Sequence, residues 1–135
     1  MSKQYLNPEN FTQTMGAYSH GLKVDVWDSD MIFVTGQIAM DKDGNAVAPD
    51  DISKQTEFVF QNIQSILNEW WSSLDDVVKA VIYVTKMSDF KEISQIRNKY
   101  FANSKPVSTL VEINKTVKEW CDIEIEVIAM KTKER

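Results

Sequence analysis

Cysteine is almost missing from this chain: Cys121 is the only one in 135 residues. That excludes an intramolecular disulfide and a cysteine metal cluster, and it suits a reducing compartment. Histidine is equally scarce. His20 stands alone, so there is no histidine pair for phosphodiester chemistry. A basic stripe is missing too. The 15 Lys and Arg are scattered among 20 Asp and Glu, for a formal net charge of -5. Nucleic-acid binders neutralise phosphates with a basic face, so no nucleic-acid partner is expected. No apolar run follows the N-terminal Met1-Ser2-Lys3-Gln4-Tyr5, which argues against a signal peptide and a membrane span. The expectation is a soluble, cytoplasmic protein with no membrane partner. Repeats, low-complexity segments and linkers are also absent. What is present is ordinary for a globular chain: 43% of residues are hydrophobic. The length predicts a single domain over 1–135, large enough to bury a core without disulfide staples.

Hydrophobic periodicity sets out the elements. The stretch Met31 to Met40 reads as a strand, and Asp41-Lys42-Asp43-Gly44-Asn45 as a turn leading out of it. From Ile52 to Trp70, apolar residues recur at helical spacing: Ile52, Val59, Ile63, Ile66, Leu67 and Trp70, with Phe58 and Phe60 widening the stripe. Asp50 and Asp51 lie at the start, where acids complement the helix dipole. Val77 to Thr85 alternates, with Val78, Ala80, Ile82 and Val84 on one face and Lys79, Val81, Tyr83 and Thr85 on the other. A second helix is predicted from Ser88-Asp89, with Asp89 and Glu92 spaced as a capping box. Phe90, Ile93, Ile96, Tyr100 and Phe101 mark its buried side, and Pro106 stops it. Strands follow over Val107 to Ile113 and Cys121 to Met130. In the last, Cys121, Ile123, Ile125, Val127 and Ala129 share one face, and Asp122, Glu124, Glu126, Ile128 and Met130 the other. The first face belongs under the helices. The second, acidic but ending apolar, suits burial against another subunit beside a wet cleft. The order predicts an α+β fold with helices on one face of a sheet.

Several segments carry a resemblance. Gly16-Ala17-Tyr18-Ser19 resembles Gly-Pro-Tyr-Ser, and Ile32-Phe33-Val34-Thr35-Gly36-Gln37-Ile38 resembles a Phe-Val-Ser-Gly-Gln-Ile strand. Thr56 through Leu67, Ser73 through Lys79 and Met87-Ser88-Asp89-Phe90 follow in order. Pro106-Val107-Ser108-Thr109 resembles Pro-Ala-Arg-Ser, and Ile123-Glu124-Ile125-Glu126-Val127-Ile128-Ala129 resembles Ile-Glu-Ile-Glu-Ala-Ile-Ala. Each motif alone is weak; in this order and spacing they mark the Rid family of reactive-intermediate imine deaminases, also called YjgF or L-PSP endoribonuclease-like proteins. The resemblance implies a chorismate-mutase-like fold, a mixed sheet with two helices on one face, and a homotrimer with ligand clefts between subunits. It implies a small-molecule ligand and no metal or organic cofactor.

The same resemblance places the site. Glu124 holds the position credited with positioning water, and Tyr18 that of the cleft tyrosine; both are candidate catalytic residues. As bare residues they read otherwise: Glu124 as a structural acid paired with Lys79, Tyr18 as a packing tyrosine. Gly36 matches the strand glycine whose N–H faces the ligand, or else marks a bulge. Thr35, Ser94, Ser108 and Thr109 complete the candidate substrate-binding set. Ser108 departs from the family pattern, because the arginine that grips the substrate carboxylate stands there. A guanidinium binds a carboxylate through a charged planar fork; serine offers one neutral donor. Small 2-imino acids are therefore expected to be poor ligands. Lys105 and Arg97 are nearby cations that do not align with the lost charge, and solvation is the ordinary reading of both. Leu110 stands where many relatives have cysteine.

Other residues read more plainly. Cys121 is expected to be a small buried hydrophobe and His20 a surface or interface residue. Trp70 is expected in the core, and Trp71 is a poor left-handed cap. The functional expectation is hydrolysis of a reactive imine or enamine with an atypical substrate range. The alternative is a non-catalytic small-molecule-binding or holdase trimer on the same scaffold, favoured by the missing arginine.

Overall fold

The computed structural model describes residues 2–7, 9 and 11–133. Within them, strands β1 (Lys3–Leu6), β2 (Gly21–Val26) and β3 (Ser29–Ile38) precede helix α1 (Ile52–Asn68). Then come β4 (Val77–Val84), helix α2 (Phe90–Tyr100), β5 (Val107–Glu112) and β6 (Ile123–Thr132). The strands form one mixed sheet in the order β1-β2-β3-β6-β4-β5. Neighbours run antiparallel except β4 and β5, whose parallel pairing uses α2 as the crossover. The chorismate-mutase-like α+β architecture is thus present, with both helices over one face.

Helix α1 starts where Asp51 accepts a hydrogen bond from the Lys54 N–H at 3.0 Å, satisfying an otherwise unpaired first-turn donor. Val59, Phe60, Ile63, Ile66 and Leu67 are fully buried along it, each contributing about 1.5–3 kcal/mol by leaving water. They meet Ile123, Ile125, Val127 and Ala129 of β6 in one core, as the alternation of that strand predicts. Phe60 also stacks on Tyr100 at a centroid distance of 4.7 Å, tying α1 to α2.

Four local expectations are corrected. Val78 is exposed and Val77 buried, because the β4–β6 register shifts between Val77 and Lys79 and turns the strand by one residue. Phe90 is 43% exposed, at the first residue of α2 before the helix reaches the core. Asp89 makes no side-chain cap bond; Glu92 instead accepts from Ser53 Oγ at 2.8 Å, linking the helices. Trp71 does adopt a left-handed conformation, with φ 57. It ends α1 as glycine commonly would: Ser72 N–H donates to Leu67 O at 3.1 Å and Trp71 N–H to Asn68 O at 3.1 Å. Its indole is solvent-exposed, so no neighbour opposes the backbone, while Trp70 packs on the core. The turn after β3 forms as expected, with Gly44 at φ 85 and a bridge between Met40 and Ala46.

Candidate functional site

The β3–β6 register slips between Val34 and Gln37, so β3 carries one extra residue there. This bulge resets the alternation. Ile32 and Val34 are buried before it, Gln37 and Ala39 after it. Thr35 and Gly36 are displaced from the core side, and Glu124 on β6 comes to lie over Gly36. A Cβ added to Gly36 would sit 2.9 Å from the Glu124 carboxyl carbon and closer still to Oε2. A residue without a side chain is what lets strand and carboxylate approach this closely. Gly36 therefore lies in the bulge, and the space its missing side chain leaves is taken by the Glu124 carboxylate.

Glu124 is half-buried. Burial, and next the charge of Glu126, push its carboxyl above the usual carboxylate range. No ion pair joins it to Lys79 among the described residues. Glu126 itself accepts a hydrogen bond from Tyr83 OH, which raises the Tyr83 phenol. The two neighbouring acids thus differ. Glu126 has a dedicated donor, while the Glu124 carboxylate faces a cleft of about 460 Å³.

The far wall of that cleft is the segment before β2. Thr35 N–H donates to His20 O at 3.0 Å, and Thr35 Oγ1 donates to Ser19 O at 2.6 Å. His20 corrects the surface or interface expectation, for it is buried. Its Nε2 lies 2.6 Å from Thr12 O; a carbonyl only accepts, so that nitrogen carries the proton. Its Nδ1 then accepts from Gln37 Nε2 at 3.3 Å, and Phe11 meets the ring edge-on at 5.5 Å. His20 and Gln37 together latch residues 11–20 onto the bulge. Tyr18, near the end of this segment, is 44% exposed on the cleft, its hydroxyl accepting from Met15 N–H at 3.2 Å.

The structure thus brings Tyr18, Thr35, Gly36 and Glu124 together. Ser94, Ser108 and Thr109 lie elsewhere in the same chain. Ser94 is on α2, hydrogen-bonded by Arg97 Nη2 at 2.9 Å. Ser108 lies with Arg97 and Lys105 in a separate hollow between α2 and β5. Thr109, opposite Val81 in the register, is exposed on the helix-free face of the sheet. Gln37 was missed from the sequence. The signal for it was a polar residue beside a strand glycine, and it becomes readable only once the bulge is known.

Two further residues close the account. Cys121 is buried, its Sγ 3.3 Å from Ala39 O, and burial pushes its thiol up to about 11; it is the small hydrophobe expected. Among the described residues, no cluster of three or more His, Cys, Asp or Glu side chains is arranged to hold a metal ion. No helix among them is long and apolar enough to cross a membrane.

Comparison with known proteins gives one consistent match. The family model described as Endoribonuclease L-PSP matches residues 9–131. A RutC family protein of Pyrococcus abyssi is 37% identical over 131 residues, covering 97% of this chain and 99% of that one. The crystal structure of yeast Mmf1 superposes with a TM-score of 0.85 at 30% identity, covering 97% of this chain and 100% of the other. That of YyfA from Yersinia pestis, described as a protein of unknown function of the conserved Rid family, gives a TM-score of 0.82 at 28% identity, covering 95% and 98%.

Proposed function

The chain belongs to the L-PSP endoribonuclease (YjgF/Rid) family, and from that premise we propose that it hydrolyses a reactive imine or enamine at a cleft built around Glu124. The observation that carries this reading is the Glu124 carboxylate, held over Gly36 with no ion-pair partner among the described residues and with raised proton affinity. Imine hydrolysis needs an oriented substrate, a placed water and a proton carrier. Glu124 serves the last two needs. It takes a proton from water as the oxygen attacks the C=N carbon, and returns it to nitrogen. A second transfer carries the adduct's hydroxyl proton to nitrogen as the C–N bond breaks, leaving a carbonyl compound and ammonia. A carboxylate whose pKa is raised toward neutrality is suited to both directions of transfer. Tyr18 and the Gly36 backbone orient the ligand, and Thr35 fixes the segment that carries Tyr18.

The nuclease activity in the family's name is not part of this proposal, since the chain has one histidine and a net charge of -5. Ammonia release from imines generated in situ by an amine oxidase or a lyase is the direct test. We expect accelerated release with the protein over buffer for at least one acidic or neutral imine. No acceleration for any, together with saturable binding of carbonyl compounds, would instead establish the non-catalytic binding reading that the missing arginine favours.

The assembly that completes such a cleft is a homotrimer. Tyr18 with Glu124 and Ser94 with Ser108 occupy two different places on one chain, and a neighbouring copy can bring them face to face. The helix-free face also leaves Val78, Val107, Val111 and Met130 exposed, and β5 is an edge strand with a free ladder. Sedimentation at micromolar concentration is expected to give a single species of three chains. A monomer would remove the basis for an inter-subunit site.

A further inference from the structure

We infer that Gln37 is a positioning residue for the Glu124 cleft: it holds the Thr35–Gly36 peptide in one orientation, and His20 holds Gln37. Neither Thr35 nor Gly36 has a register partner on β6, because the pairing passes from Val34 to Gln37. Ladder pairing therefore does not set the plane of the peptide between them; a side chain does. Gln37 Nε2 donates to Thr35 O at 3.1 Å and to His20 Nδ1 at 3.3 Å. A side-chain amide nitrogen has two N–H donors, and here each meets an acceptor, so neither the position nor the facing of the amide is free. His20 can accept because its proton sits on Nε2, spent on Thr12 O at 2.6 Å. The hydrogen bonds thus run from Thr12 through His20 and Gln37 to Thr35. His20 and Gln37 are both buried, where water competes little for these groups.

In a planar trans peptide the C=O and N–H point in opposite directions. Gln37 draws Thr35 O to its own side, so the Gly36 N–H is turned away from the buried amide. Gly36 and Glu124 both line the cleft, and the carboxylate fills the space beside Gly36. Rotating this peptide would move a backbone donor relative to the carboxylate, and the two would no longer address one ligand. The amide protons of Gln37 are spent on protein acceptors, so Gln37 acts through the peptide it holds rather than on the reacting atoms. The inference rests on the imine-hydrolase reading for the step that suffers; the orientation of the peptide does not depend on that reading.

Three variants of the full-length protein test this, by imine hydrolysis and by two-dimensional amide NMR. Gln37→Met keeps the length of the side chain and removes both donors. It should lower kcat by about 10²-fold, the cost of about 1 Å of misplacement, with KM nearly unchanged. His20→Leu and His20→Asn are close in shape, and both lose the ring and the bond to Thr12. Only asparagine carries, in place of Nδ1, an oxygen able to accept from Gln37. His20→Asn should therefore recover most of the kcat that His20→Leu loses, and its Gly36 amide resonance should lie nearer the parent's. A histidine that served only to pin residues 11–20 would leave the pair equal. Should Gln37→Met fail to fold, the His20 pair carries the test alone. Parental kcat in Gln37→Met, or equal kcat in the two His20 variants, overturns the inference and leaves the hydrolase reading standing. If the parent hydrolyses no imine, that reading fails instead, and the Gly36 resonance decides: closer to the parent in His20→Asn than in His20→Leu supports the inference, and equal displacement in both overturns it.

Discussion

Glu124→Gln is expected to lower imine turnover by about 10²- to 10⁴-fold, the range a positioned proton carrier contributes, and at the same time to raise the melting temperature at neutral pH. The second effect follows from the direction of the pKa shift. Burial and Glu126 hold the Glu124 carboxyl above its ordinary value, so the folded chain binds this proton more tightly than the unfolded chain does. The group therefore contributes stability below its unfolded value. That contribution is lost as pH rises through the folded value, and above it the ionised carboxylate opposes folding. Glutamine keeps the shape and removes the charge. The stability gain should be present at pH 7 and shrink toward zero as the buffer is taken below pH of about 4, the ordinary range for a glutamate. Turnover by activity assay and melting by calorimetry across pH check the two halves. Unchanged turnover in the variant would remove Glu124 from the mechanism. Lost turnover with lower stability at neutral pH would instead mark it as a structural acid.

Much of this protein is legible in its sequence, because the strongest signals are periodic. The inward face of β6, from Ile123 to Ala129, follows from alternation, and the core stripe of α1 follows from spacing. What periodicity misses is a change of phase. The bulge between Val77 and Lys79 exposes Val78, and the one between Val34 and Gln37 turns Gln37 inward; an alternating string holds no mark of either. His20 was misread for another reason. A histidine can be buried where both ring nitrogens find partners, and those partners, Thr12 and Gln37, lie 8 and 17 positions away. Trp71 defied a propensity, since the hydrogen bonds closing α1 and an unopposed indole outweigh the strain of its φ. The site divides along the same line. Family resemblance named Tyr18, Gly36 and Glu124, which the fold brings together. It could not show that Ser108 shares a hollow with Arg97, a contact between helix and strand that exists only once the parallel crossover has folded.

Gly36→Ala is expected to abolish most activity while leaving the fold almost untouched. The added methyl would lie 2.9 Å from Glu124 Cδ and 3.0 Å from Cγ, so the carboxylate has to move. The atoms it meets are the far end of a flexible side chain rather than backbone, and that end can swing into the open cleft with little strain. The backbone does not resist either, since Gly36 is not among the residues with positive φ. Alanine further reduces the freedom of the unfolded chain, worth about 0.4–1 kcal/mol in favour of folding where the conformation permits it. Stability should therefore stay within about 1 kcal/mol of the parent. Catalysis has no such tolerance. A shift of about 1 Å in a positioned group costs on the order of 10²-fold, and here the displaced group is the proton carrier itself. Kinetics and thermal melting on one preparation decide it. A large loss of kcat with a near-parental melting temperature places the function of Gly36 in the room it leaves for Glu124. Parental kcat would mean that the carboxylate works equally well from another position, and that its seat over the bulge has no part in the chemistry.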